Sequence, residues 1–185
     1  TFAIPETSIK NTDEAPKKHE KAPDMKYPQL DSGLCGICSM SSAIYTIFGQ
    51  DMAEFCYKFR HEYHENFMKG SSTKKSSIMN FLKQIIFKKK NEYKIQKLIP
   101  KNVNPSLLMT DSTLYYSVVV ALLKDTLSSK DHIVSFSQGW LFDSNLFYAI
   151  QISNMNLDWC CGNHENGALF IGFYELFSIV KKKSK

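Results

Sequence analysis

The sequence predicts an α+β fold, with N-terminal helices packed on a mainly antiparallel sheet. Three observations carry this. Met40, Ala43, Ile44, Ile47 and Phe48 recur at the helical period. The residues from His132 onward read as short strands returning on one another around Gln138-Gly139. Helical patterns come first and strand patterns after, the order of an α+β chain. A hydrophobic share of 43% over 185 residues supports one core and excludes global disorder.

The elements follow in chain order. Residues 1–27 are polar, mixed in charge and broken by Pro5, Pro16 and Pro23, so they are expected to form a flexible arm. A single domain is expected over 28–180, followed by a basic tail, 181–185. Asp31 to Cys38 reads as a turn feeding the first helix, which Gly49 ends. A second helix is expected from Ala53. Ser77 stands where it can cap a third, Ile78 to Lys88. Glu92 to Ile99 reads as a strand, and Asn104-Pro105-Ser106 as the start of an irregular stretch. Ser112 to Leu123 is expected to be a buried helix, on its length and spacing. His132–Ser137, Trp140–Ser144, Leu146–Ser153 and one or two segments within Leu169–Val180 are expected strands.

Charge and cysteine usage narrow the function. The net charge of +5 is concentrated: ten lysines lie between Lys69 and Lys101 against the single acid Glu92, and Lys181, Lys182, Lys183 and Lys185 close the chain. Such a face suits an anionic membrane surface or an acidic partner. The only arginine is Arg60 and no nucleic-acid motif accompanies the lysines, so specific nucleic-acid recognition is not expected. No apolar run approaches the roughly 18 residues that span a bilayer. The residues from Thr1 carry no basic-then-apolar leader pattern. Five cysteines, an odd number with Cys160 next to Cys161, fit free thiols and a reducing cytoplasm better than a disulfide scaffold.

Cys35 and Cys38 both sit where a turn becomes a helix, between Gly33 and Ser39. Unpaired N–H groups at a helix start lower a thiol pKa and can hold an oxyanion. His132 begins a strand. With a two-residue turn at Gln138-Gly139, it lies opposite Asn145 and diagonal to Asp143, on one face of the sheet. Either side chain offers an orienting partner for the imidazole. A rival arrangement is zinc held by Cys35, Cys38, Cys160, Cys161 and His164, or by Cys56, His61 and His64. A thioredoxin-like reading of Cys35-x-x-Cys38 lacks the preceding strand that chemistry requires.

A nucleophilic cysteine at a helix start, followed by histidine and then Asp or Asn in sheet, resembles the papain-like cysteine peptidases in the broad sense. Gly33-Leu34-Cys35-Gly36-Ile37-Cys38 is similar to the papain active-site segment, on which Cys38 would be the nucleophile. Gln29, Cys35-Gly36 and Gly49 resemble the bacteriocin-processing peptidases. Gly33-Leu34-Cys35 with Phe142-Asp143-Ser144-Asn145 resembles the YopT-type effector proteases, Ser144 standing where those have proline. The likeness covers about 29–49 and 131–146. It implies Cys35 as nucleophile, His132 as base, Asp143 as its orienter and Gln29 as an oxyanion donor. It also implies a protein or peptide substrate, no cofactor or metal, and an effector acting in its own or a host cytoplasm. The alternatives are a non-enzymatic or degenerate papain-like module that binds through its lysine-rich face, and a small zinc-stabilised binding domain.

Overall fold

The computed structural model describes residues 21–29, 34–67, 75–125, 132–152 and 170–184. Six strands form one antiparallel sheet in the order β1-β6-β2-β3-β4-β5. They are β1 (Tyr93–Lys97), β2 (Val118–Asp125), β3 (His132–Ser137), β4 (Trp140–Phe142), β5 (Ile150–Gln151) and β6 (Phe170–Lys181). Helices α1 (Cys35–Phe48), α2 (Gln50–Tyr57), α3 (Arg60–Phe67) and α4 (Lys75–Phe87) precede the sheet. The short α5 (Pro105–Thr110) and α6 (Ser112–Tyr115) lie between β1 and β2. Among the described residues no helix is long and apolar enough to cross a membrane.

The core has two halves, one on each face of the central strand. Val118, Val120 and Leu122 pack with α1, α2 and α4 residues such as Met40, Ala53 and Leu82. Val119, Ala121 and Leu123 face Leu108, Met109 and Leu114 of α5 and α6. Burial on both faces explains why 112–123 reads as a helix in sequence. A strand covered on both sides is apolar at every position, and its period of two disappears. The structure corrects that expectation. Asp111 caps only the four-residue α6, accepting from the Thr113 and Leu114 N–H groups at 2.9 and 3.2 Å, and the β-branched run from Val118 is strand. The stretch from Asn104, expected to be irregular, is α5. Asn104 caps it by accepting from Leu107 N–H at 2.9 Å, and Pro105 fits its first turn. Of the expected strand Leu146–Ser153, the described residues 146–152 form only β5 and an isolated bridge between Tyr148 and Asp24.

Helix α1 is the element on which the rest is arranged. Gly36 through Ile44 are all buried, which small residues such as Gly36, Ser39, Ser42 and Ala43 permit. It runs alongside β3 in the same direction. A Cβ on Gly36 would come within 3.3 Å of the Ile133 side chain, and the Ser39 and Ser135 hydroxyls meet at 3.4 Å. The β3–β4 hairpin turns at Gln138 and Gly139, both with positive φ (51° and 80°), the requirement of a two-residue turn that matches strand twist. Its register pairs Ser135 with Phe142 and Ser137 with Trp140, as a two-residue loop dictates.

Two expected boundaries shift. Residues 1–20 of the expected arm lie outside the described residues, but Pro23 to Tyr27 is part of the packed structure. Met25 N–H donates to Phe147 O and Ala149 N–H to Pro23 O, both at 2.8 Å. Met25 is 4% exposed, and the Tyr27 ring stacks on Tyr57 at 4.2 Å. Proline and charge give this segment the composition of an arm, yet its backbone is satisfied by the 147–149 segment. The expected basic tail is tied at its root: Lys181 pairs with Tyr93, and Lys182 N–H donates to Glu92 O at 2.7 Å. Part of the lysine excess is also bound internally. Lys88 lies over Phe59, Lys89 over Phe55, and Lys83 pairs with Glu175 at 3.1 Å.

Met25→Ala should therefore lower the unfolding free energy by about 2–5 kcal/mol, the usual cost of emptying a buried methionine site. Denaturant titration measures it. A change below about 0.5 kcal/mol, the level of an ordinary surface substitution, would show that the segment is dispensable to the fold.

Candidate active site

Cys35 is the first residue of α1, and the Cys38 N–H closes the first turn on Leu34 O at 3.0 Å. Leu34 at the N-cap has no side-chain oxygen to offer, so the first-turn N–H groups are left to other partners. The two cysteines, one turn apart, have opposite environments. Cys35 is half-buried. Burial pushes its thiol pKa up, as does the negative charge of Asp143. A hydrogen bond with His132, the positive charge of that ring and a hydrogen bond from the Ile133 backbone outweigh both, and the pKa falls below the ordinary thiol range. Cys38 is 1% exposed. Burial, reinforced by the neighbouring Cys35, pushes its thiol up to about 12, with Arg60 offsetting only part. Cys38 is thus a core thiol, and Cys35 the one held toward the reactive anion.

His132, the first residue of β3, hydrogen-bonds Asp143 Oδ1 through Nε2 at 2.8 Å. A carboxylate acceptor fixes the proton on Nε2, which leaves Nδ1 as the nitrogen for the thiol. Burial disfavours the imidazolium, but the hydrogen bonds and charges of Asp143 and Cys35 raise its pKa to about 10. Asp143 is itself 2% exposed and accepts a second hydrogen bond from Asn145 N–H at 3.1 Å. The strand ladder stops at Phe142. Beyond it the chain turns, so Asn145 is exposed rather than paired across from His132. Of the two orienting partners the sequence offers, Asp143 is the one on the ring.

Gln29 is fastened to the same loop. Its N–H donates to Ser144 O at 2.8 Å, and Ser144 Oγ donates to Gln29 Oε1 at 2.9 Å. With the amide oxygen engaged, the NH₂ end is the side free to act as a donor. Ser144, the residue after Asp143, therefore ties Gln29 to the turn that carries the carboxylate.

Sequence reasoning missed Tyr63. This side chain from α3 is 1% exposed, and its hydroxyl takes a hydrogen bond from the Gly36 backbone. A Cβ at Gly36 would stand 2.9 Å from that hydroxyl. Burial first, and then the nearby Cys35, raise the phenol's pKa, so Tyr63 stays neutral while engaging the turn that carries the thiol. The only signal in the sequence was the bare backbone of Gly36 beside Cys35, which invites a close neighbour without naming it.

The zinc arrangements do not assemble among the described residues, where no three His, Cys, Asp or Glu side chains cluster as metal ligands. Cys160, Cys161 and His164 lie outside the described residues. No protein-family model, curated protein or solved structure matches this chain. The chemistry of the site is therefore read from its own geometry.

At mildly acidic pH a substoichiometric alkylating agent should modify Cys35 at least ~10-fold faster than Cys38, because the rate follows the thiolate fraction. His132→Ala should remove that advantage. Peptide mapping by mass spectrometry decides it, and equal slow labelling of both thiols would contradict the assignment.

Proposed function

We propose that the chain is a papain-like cysteine hydrolase that cleaves a peptide or isopeptide bond. The observation that carries this reading is the relay of Cys35, His132 and Asp143 at the start of a buried helix: a thiol with lowered pKa against an imidazole with raised pKa, the latter oriented by a buried carboxylate. A thiol and a histidine shifted in these opposite directions favour a thiolate–imidazolium pair, the activated form of a cysteine nucleophile.

In this mechanism the Cys35 thiolate attacks the carbonyl carbon and a C–S bond forms. The carbonyl oxygen becomes an oxyanion, held by the Cys35 N–H at the helix start and by the Gln29 amide. His132 passes its proton to the leaving nitrogen as the C–N bond breaks, leaving a thioester and a neutral imidazole. That imidazole then takes a proton from water as the water attacks the thioester. The C–S bond breaks, the acid departs and the ion pair is restored. Asp143 keeps the ring in one tautomer throughout. Tyr63 is a positioning residue, holding Gly36 and with it the turn that carries the thiol.

The lysine-rich edge serves localisation in this reading. Lys90, Lys94 and Lys182 line a cleft of about 410 Å³ at β1 together with Phe87, which is 61% exposed. Cations around an exposed aromatic suit an anionic membrane surface or an acidic partner, and the site of action is a cytoplasm, the cell's own or a host's.

The pH dependence has a definite sign. As pH falls through the lowered Cys35 pKa, the thiolate is protonated and activity is lost. As pH rises through about 10, His132 loses the proton it must give to the leaving group, and activity is lost again. The kcat/KM of a cleaved fluorogenic peptide should thus form a broad plateau, with its acid limb below the ordinary thiol range. A rate that rises only through that range would refute the ion pair. Asp143→Ala should lower kcat/KM by roughly 100-fold or more, the scale of lost acid–base positioning. Asn145→Ala should change it by less than about threefold, as expected for an exposed side chain. The reverse pattern would reassign the orienting role.

A further inference from the structure

A second feature lies beside the first turn of α1 and plays no part in the bond-making steps. A cleft of about 300 Å³ is lined by Pro28, Leu34, Cys38, Tyr57, Arg60, His61 and His64. Its place in the chain ties it to the chemistry. Leu34 directly precedes Cys35, and Pro28 directly precedes Gln29. A substrate whose carbonyl lies between Cys35 and Gln29 therefore has this cleft within reach of a neighbouring side chain.

The lining has one electrical character. Arg60, His61 and His64 bring nitrogen donors, and among the described residues that line it none is a carboxylate. Arg60 is the only arginine of the chain, and its head is held in place. Nη1 donates to Tyr57 O at 3.2 Å, and the guanidinium lies 4.5 Å from the centre of the Tyr57 ring. The remaining N–H donors of a guanidinium so fixed form a pre-set fork, the geometry that recognises a carboxylate. Its charge is felt at Cys38, which also lines the cleft. Pro28, Leu34 and the Tyr57 ring supply the apolar walls for a side-chain stem.

We infer that this cleft is the specificity pocket of the hydrolase and that it takes an acidic side chain, Glu or Asp, of the substrate next to the attacked carbonyl. The inference rests on Cys35 being the nucleophile, but binding tests it separately from catalysis. Cys35→Ala protein is titrated by calorimetry with blocked peptides that differ only as Glu against Gln at one position. The positions are scanned in turn, at low and high salt. At one position Glu should bind about tenfold more tightly than Gln at low salt, the scale of a charge-assisted pair, and the margin should shrink as salt rises. The Glu-to-Gln ratio should fall to about one when Arg60→Gln is added. It should also fall when the exposed His61 is changed to Ala, a variant that leaves the packing around Tyr57 intact. Wild-type protein should cleave the same peptides with the same ratio in kcat/KM. Equal binding of Glu and Gln peptides at every position, or a preference that survives both substitutions, would overturn the pocket. An Arg60-dependent preference in binding, with no cleavage and no labelling of Cys35 in the wild type, would keep the pocket and defeat the hydrolase reading.

Discussion

The close approach of α1 to β3 sets everything else at this site. Gly36 lies where any side chain would press on three neighbours at once, Tyr63 at 2.9 Å, Leu82 at 3.2 Å and Ile133 at 3.3 Å. Only a residue without Cβ lets the helix start so near the strand. Ser39 and Ser135 repeat the contact one turn further on. Because helix and strand run side by side, the first residue of one, Cys35, meets the first residue of the other, His132. The Cys35–His132 pair is thus a consequence of main-chain packing, and its geometry is held by the buried length of α1 from Gly36 to Ile44.

Placing two ionisable groups together in a poorly solvated spot is costly, since burial disfavours each charge. Both groups show that opposition: burial raises Cys35 and lowers His132, and it is overridden by His132 for the thiol and by Asp143 together with Cys35 for the imidazole. Asp143 is what tips the balance for the imidazole. Its carboxylate is buried, bonded to Nε2 at 2.8 Å and steadied by the Asn145 N–H. The same carboxylate works against the thiolate. The site needs Asp143 on the far side of the ring, where it supports the cation more than it disfavours the anion. The bonds between Gln29 and Ser144 extend this frame to the segment before α1, which is packed through Met25 and Tyr27 rather than trailing as an arm.

What was legible in the sequence was what local rules control. A two-residue turn fixes hairpin register, so the Ser135–Phe142 pairing, and with it the nearness of Asp143 to His132, followed from Gln138-Gly139 alone. The α+β class followed from the order of helical and alternating patterns. What was not legible depends on neighbours distant in sequence. β2 lost its alternation because α5 and α6 cover its second face, and α5 itself was hidden in a stretch that looked irregular until Asn104 was seen to cap it. Cross-strand pairing alone points to Asn145, and only the family likeness favours Asp143, because nothing local says that the ladder ends at Phe142. Only the family likeness that includes Gln29 favours Cys35 over Cys38, because direction along a helix does not reveal burial. Tyr63 arrives from another helix, beyond the reach of any motif.

The central claim is that Cys35 is held as a thiolate by His132, and the thiolate's ultraviolet absorbance reports on it without any substrate. Titrating wild-type protein against Cys35→Ser isolates the contribution of this one thiol. The account predicts that the difference absorbance is already present at neutral pH, disappears only below the ordinary thiol range, and moves back into that range in His132→Ala. A difference absorbance that develops only as pH rises through the ordinary thiol range, unchanged by the loss of His132, would contradict it.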